Sequence, residues 1–183
     1  MKSIDVKGTA RNEFGKKGAK ALRKQNLIPC NLYGVERDAK GLPVAKAFSV
    51  TFEEVRKLVY SPDIFSVNLT IDGNTVLAVM REIQFHPVKD NILHIDFYQV
   101  DPQKPIVMAV PVKLNGLAAG VKAGGKLEQI LRRVKAKALY TAIPEKVEID
   151  VTPLGIGKSF KVGDLKVDGI EFVSPKAAVI CTV

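Results

Sequence analysis

The chain of 183 residues predicts a mainly β fold with a few short helices, and three observations carry that expectation. Alternating or apolar runs of strand length recur throughout, turn-forming glycines and prolines separate them, and only two stretches show helical periodicity. With 46% hydrophobic and 26% charged residues, the chain can bury a real core as one domain or two small ones.

In order, strands are expected at Ser3 to Lys7, Ile28 to Tyr33, Val44 to Val50, Ser66 to Ile71, Thr75 to Phe85 and Ile92 to Val100. Several strands in this half imply a sheet or barrel. Between two of them lies Asp72-Gly73-Asn74, where glycine supplies the positive φ of a tight turn, so Ser66 to Phe85 reads as one antiparallel hairpin. A short basic helix falls within Lys16 to Gln25. A second runs from Phe52 to Tyr60, opened by a capping box of Thr51 and Glu54, with Phe52, Val55, Leu58 and Val59 as its buried stripe.

Prolines 102 and 105 and their polar neighbours interrupt the strand pattern, which sets a candidate boundary between domains at 1–100 and 101–183. Beyond it, glycines separate short Val- and Ile-rich runs, as in a small all-β domain. Strands are expected there at Ile106 to Leu114, Arg132 to Leu139, Val147 to Val151 and Ala178 to Val183. Gly120 to Gly125 superficially resembles a phosphate loop but lacks its spacing and context, and a tight β connection is the favoured reading.

Charge narrows the function. The first thirty-four residues hold eight Lys or Arg against two acids, so six of the nine net positive charges lie there, a localised footprint for a polyanion. No run approaches the roughly twenty apolar residues of a membrane span, and the first residues lack a signal-peptide block, so the cytosol is expected and no membrane partner. Cys30 and Cys181 stand apart without a metal-ligand spacing and are expected to pack as small apolar residues.

Within a helix from Lys16 to Gln25, Lys16, Lys20, Arg23 and Lys24 share a face while Ala19 and Leu22 turn inward. Like charges at that spacing repel, and an anion would relieve the strain; side chains splayed into water are the competing reading. Lysines suit phosphates, whereas Arg11 and Arg23 can also make bidentate bonds to phosphate or a base edge. Tyr33 ends an apolar strand beside Gly34, where it either stacks on a nucleotide or closes the core edge. In the run Leu93-His94-Ile95-Asp96-Phe97, His94 and Asp96 point to one face and Ile95 and Phe97 to the other, while alternation puts Arg81 with Ile83 rather than Gln84. A histidine and an aspartate together can read RNA donors and acceptors.

The enzymatic alternatives are weaker. Metal binding by His86, His94 and Asp96, or acid-base work by His94 and Asp96, lacks the support of HExxH, GxSxG, a P-loop or a second carboxylate cluster, so neither an enzyme nor a metal or other cofactor is expected. Arg132, Arg133, Lys135 and Lys137 in the second half suit either a secondary contact with RNA or protein or a solvated strand face.

Arg11-Asn12-Glu13-Phe14-Gly15-Lys16, Ala21-Leu22-Arg23-Lys24, Ile28-Pro29-Cys30-Asn31-Leu32-Tyr33-Gly34 and His94-Ile95-Asp96-Phe97 together resemble the L-twenty-five/CTC family of bacterial large-subunit ribosomal proteins. Pro111-Val112-Lys113-Leu114, Gly120 to Gly125, Ile143-Pro144-Glu145 and Ile149-Asp150-Val151 look like the second domain of its longer members. The resemblance implies a six- or seven-stranded N-terminal β-barrel with helices that grips the loop E region of 5S rRNA in the central protuberance, followed by a β-rich domain. It also implies a structural role in translation on the cytoplasmic ribosome, other large-subunit components as partners, and a monomer off the ribosome. By position, its RNA contacts would be Arg11, Lys16, Lys20, Arg23, Tyr33, His94 and Asp96; Lys24 stands where some relatives have arginine and keeps only the charge. Longer relatives often end in an acidic extension, whereas this sequence ends at Val183. The alternative function is an RNA- or tRNA-recognising accessory module of a processing enzyme, and a third is a small hydrolase using His94 and Asp96.

Overall fold

A computed structural model describes residues 2–35, 41, 44–167 and 169–183. The chain separates into two compact units, one holding the chain through Ser61 with Phe65–Asp101, the other Pro62–Ile64 with Pro102–Val183.

The first unit contains β1 (Lys2–Ala10), α1 (Gly15–Lys24), β2 (Leu27–Tyr33), β3 (Lys46–Thr51), α2 (Phe52–Tyr60), β4 (Phe65–Ile71), β5 (Asn74–Phe85) and β6 (Ile92–Gln99). Its six strands close into a barrel in the order β1-β3-β2-β6-β5-β4. Two seams are parallel, β2 with β6 and β1 with β4, and the remaining pairs are antiparallel. Strand alternation sends Val6, Cys30, Leu32, Phe48, Val50, Val67, Leu69, Ile95 and Phe97 inward, and all are buried. At the β4–β5 hairpin, Ile71 pairs with Asn74 across a two-residue loop, with Asp72 at φ 46° and Gly73 at φ 87°. Positive φ at both positions matches the turn to the twist of its strands.

Helix α2 adds Val55 and Leu58 to this core, but Phe52 departs from the expected stripe and stays 40% exposed. It sits on the first turn, edge-on to Tyr60 with 6.1 Å between ring centroids. The expected capping box is also absent. Thr51 has extended N-cap geometry without a side-chain cap bond, and Glu54 instead accepts the backbone N–H of Lys7 at 3.1 Å. Strand β1 pairs with β3 only at Thr9 and Ala10, which leaves the Lys7 amide to be satisfied by a side chain.

The second unit is also built of strands: β7 (Ile106–Asn115), β8 (Glu128–Gln129), β9 (Arg133–Ala138), β10 (Val147–Asp150), β11 (Ser159–Lys161), β12 (Glu171–Phe172) and β13 (Val179–Thr182), with a short α3 (Ala119–Lys122). They form a four-stranded sheet, β10-β7-β9-β12, and a three-stranded sheet, β11-β13-β8. Alternation along β7, β9 and β10 buries Val110, Val134, Ala136 and Ile149. The tight β connection expected at Gly120 to Gly125 is instead the helical turn α3. Its Gly120 lies so close to Gly155, Ile156 and Val183 that an added Cβ would come within 2.8 Å of each. Close backbone approach, not phosphate binding, accounts for glycine there. Cys30 and Cys181 are buried free thiols, and burial pushes both pKa values up.

Candidate nucleic-acid interface

The outer wall of the barrel follows from alternation on β6. Ile95 and Phe97 fill the core, so His94, Asp96 and Tyr98 face outward. Parallel pairing sets Asn31 of β2 beside Asp96 and Tyr33 beside Tyr98, and antiparallel pairing sets Glu82 and Gln84 of β5 beside Asp96 and His94. The wall is therefore dense in hydrogen-bonding groups.

Arg81 joins it through a β-bulge. The β5–β6 register shifts between Met80 and Glu82, making Arg81 the additional residue and placing it on the outer face with Gln84, not with Ile83 as plain alternation predicts. Its guanidinium lies 5.9 Å from the Tyr98 ring centroid, and Tyr98 meets Tyr33 edge-on at 5.9 Å. Burial pushes the Tyr33 hydroxyl pKa up, while the nearby Arg81 and its hydrogen bond to Tyr33 oppose the shift.

His94 Nδ1 stands 3.6 Å from Asp96 Oδ1, with the side chains 20% and 23% exposed. Burial lowers the His94 pKa, Asp96 opposes this, and the positive charges of Arg11 and Arg23 push it further down. The unfolded chain therefore takes up a proton at higher pH than the folded one, so His94 lowers stability as pH falls from about 6.5. Urea unfolding at pH 7.5 and 5.5 should show this loss, and His94→Gln should flatten it. An unchanged pH slope in that variant would contradict the assignment.

Arg11 reaches the same place from the end of β1. Its backbone N–H donates to the Ala47 carbonyl at 3.1 Å, its Nε donates to the Glu13 carbonyl at 3.2 Å, and its guanidinium is 5.7 Å from the centroid of the exposed Phe14 ring.

Helix α1 packs through buried Gly18 and half-buried Ala19 and Leu22, leaving Lys16, Lys20 and Lys24 exposed. Arg23 departs from the expected open face. Its Nε and one terminal nitrogen both donate to the Leu93 carbonyl, at 3.1 and 2.9 Å, because Arg23 lies nearest the packed edge of the helix. This clamp ties α1 to β6 and brings Arg23 beside the His94–Asp96 pair. Asn26, at φ 59°, then ends the helix with its N–H on the Arg23 carbonyl.

Arg11, Arg23, Tyr33, His94 and Asp96 thus share one wall, with the lysines on the adjoining helix. Arg81, Tyr98, Asn31 and Gln84 join the wall without being among the RNA contacts expected from the sequence. Tyr98 carried a usable signal, being in alternation with Asp96 and His94 on β6, whereas Gln84 reaches them only through strand pairing and the bulge concealed Arg81. His86 stands outside this constellation: its Nδ1 accepts the N–H groups of Val88 and Lys89, both at 3.2 Å, and organises a turn. Among the described residues, no group of three His, Cys, Asp or Glu side chains has the arrangement of a metal site.

Residues 6–97 match the Ribosomal L25p family, and residues 105–183 match the C-terminal domain of ribosomal protein TL5. The chain is 58% identical to the Large ribosomal subunit protein bL25 of Phocaeicola vulgatus, across all of this chain and 92% of the relative. Proteins of that name from Porphyromonas gingivalis and Azobacteroides pseudotrichonymphae are 52% and 45% identical, again across all of this chain and covering 93% and 94% of theirs. A barrel with an outward polar wall, two family matches in tandem and full-length relatives converge: the chain belongs to the ribosomal L25p family of large-subunit proteins, a structural and not an enzymatic family.

Proposed function

We propose that the first unit, as a domain of residues 1–100, binds 5S rRNA at its loop E region and so fixes the protein in the large subunit of the cytoplasmic ribosome. The observation that carries this reading is the convergence of His94, Asp96, Tyr33, Arg11 and Arg23 on one wall. The wall's outward hydrogen-bonding side chains suit the shallow minor groove of an RNA helix, where 2′-hydroxyls and base edges are displayed. Asp96 accepts from a 2′-hydroxyl or a guanine amino group, neutral His94 donates or accepts, and Tyr33 offers a ring and a hydroxyl. Lys16, Lys20 and Lys24 hold phosphates beside the groove, fixing position without reading sequence. Their charge is unfavourable near one another and, for Lys16, near the positive end of the helix, and an RNA phosphate relieves both. Arg23 contributes chiefly its charge, since much of its guanidinium is engaged by Leu93.

Nuclease footprinting of the complete chain on 5S rRNA, with tRNA as the comparison, tests partner and site together. Protection confined to loop E is expected; equal protection of tRNA would refute the reading. Replacing Lys16, Lys20 and Lys24 together with alanine should flatten the dependence of log affinity on log salt by roughly two to three units.

A further inference from the structure

Residues 102–183 carry thirteen Lys or Arg against seven acids, and four of the cations, Arg132, Arg133, Lys135 and Lys137, fall within six residues. The structure sets three of them on one side of a strand. On β9, Val134, Ala136 and Ala138 are buried, so Arg133, Lys135 and Lys137 project together from the outer face, with exposed Arg132 just before them. Alternate residues of a strand are about 7 Å apart, of the order of the spacing between successive phosphates on a ribose–phosphate chain.

The neighbouring strand leaves this row open. Antiparallel pairing sets Val107, Ala109 and Pro111 of β7 opposite Lys137, Lys135 and Arg133. These side chains are short and uncharged, so no carboxylate stands across from the cations on that side. On the other side, Glu171 of β12 lies 3.3 Å from Lys137 Nζ and partly neutralises it. No acidic partner meets Arg132, Arg133 or Lys135 among the described residues. Arg133 and Lys135, without acidic partners and at this regular spacing beside short uncharged side chains, match the evenly spaced charges of a sugar–phosphate backbone.

We infer that the outer face of β9 is a second RNA-binding surface, with Arg133 and Lys135 engaging consecutive phosphates of one strand and Arg132 extending the row. The contact is to backbone, so it is independent of sequence and strongly dependent on salt. It uses none of the residues of the barrel wall.

The test compares the full chain with an Arg133→Glu/Lys135→Glu variant and an Arg133→Ala/Lys135→Ala variant, each confirmed folded by circular dichroism. Each is titrated with a fully paired RNA duplex of about 20 base pairs and with 5S rRNA, between roughly 50 and 200 mM salt. For the duplex, affinity should fall at least tenfold with the charge reversal, and the salt slope should drop by roughly two units in both variants. Parental slopes in both variants would overturn the inference. So would variants that bind RNA normally yet fail to join reconstituted large subunits, because the face would then serve a protein. Loss of loop E protection in the parent, with the duplex response intact, would refute only the 5S reading.

Discussion

Replacing Phe97 with alanine is expected to destabilise the barrel unit by about 3–5 kcal/mol. Phe97 is fully buried at the centre of β6, with its ring centroid 5.7 Å from that of Phe48 and tilted against it. Its strand is held on both sides, by Leu32 of β2 and Met80 of β5. A strand paired on both sides within a closed barrel has little freedom to collapse onto a lost ring, so the cavity persists and its cost adds to the lost transfer free energy. Small domains are stable by only about 5–15 kcal/mol, which makes this loss a large fraction of the total. Because the same strand carries His94 and Asp96 on its other face, RNA binding should fail at temperatures where the parent still binds. Urea denaturation gives the magnitude, and a loss below about 1 kcal/mol would show that Phe97 is not packed as described.

The second large effect separates reading from charge. Changing His94 and Asp96 together to alanine should weaken binding to 5S rRNA by about 3 kcal/mol, roughly 150-fold, since hydrogen bonds to base edges discriminate by about 1–3 kcal/mol each. On net charge alone, removing the Asp96 carboxylate would strengthen association with a polyanion. A loss is therefore diagnostic of a carboxylate that accepts from RNA donors. The salt slope should remain at the parental value, because neither residue neutralises a phosphate. Gel shifts with 5S rRNA and a plain duplex measure both quantities, and tighter 5S binding by Asp96→Ala would contradict the proposed role.

Much of the barrel could be read from period-two alternation, because each of its strands buries one face and the hairpin turn Asp72-Gly73 has few alternatives. The outward placement of His94 and Asp96 followed from the same rule, since Ile95 and Phe97 demand the interior. Alternation failed where the register breaks: Arg81 sits on a bulge, and one inserted residue reverses the expected side. It was also silent about tertiary hydrogen bonds. Nothing local shows that Arg23 reaches back from its helix to the Leu93 carbonyl, or that Glu54 leaves its helix cap for Lys7 of β1. In the second unit, β8, β11 and β12 have only two or three residues each, too few for any period to emerge.

The two parallel seams govern how the barrel is made. Lys2 pairs with Phe65, and Cys30 pairs with Ile95, so the first strands wait for partners far along the chain. At translation rates of about 5–20 residues per second, β1 emerges several seconds before both seams can form. A basic, strand-forming segment is thus exposed on the nascent chain. Folding dominated by such distant pairings is slow, on the millisecond-to-second scale. Once the last seam zips, the barrel leaves no edge strand of its own for another chain to extend, and that part of the hazard of cross-strand aggregation closes with it.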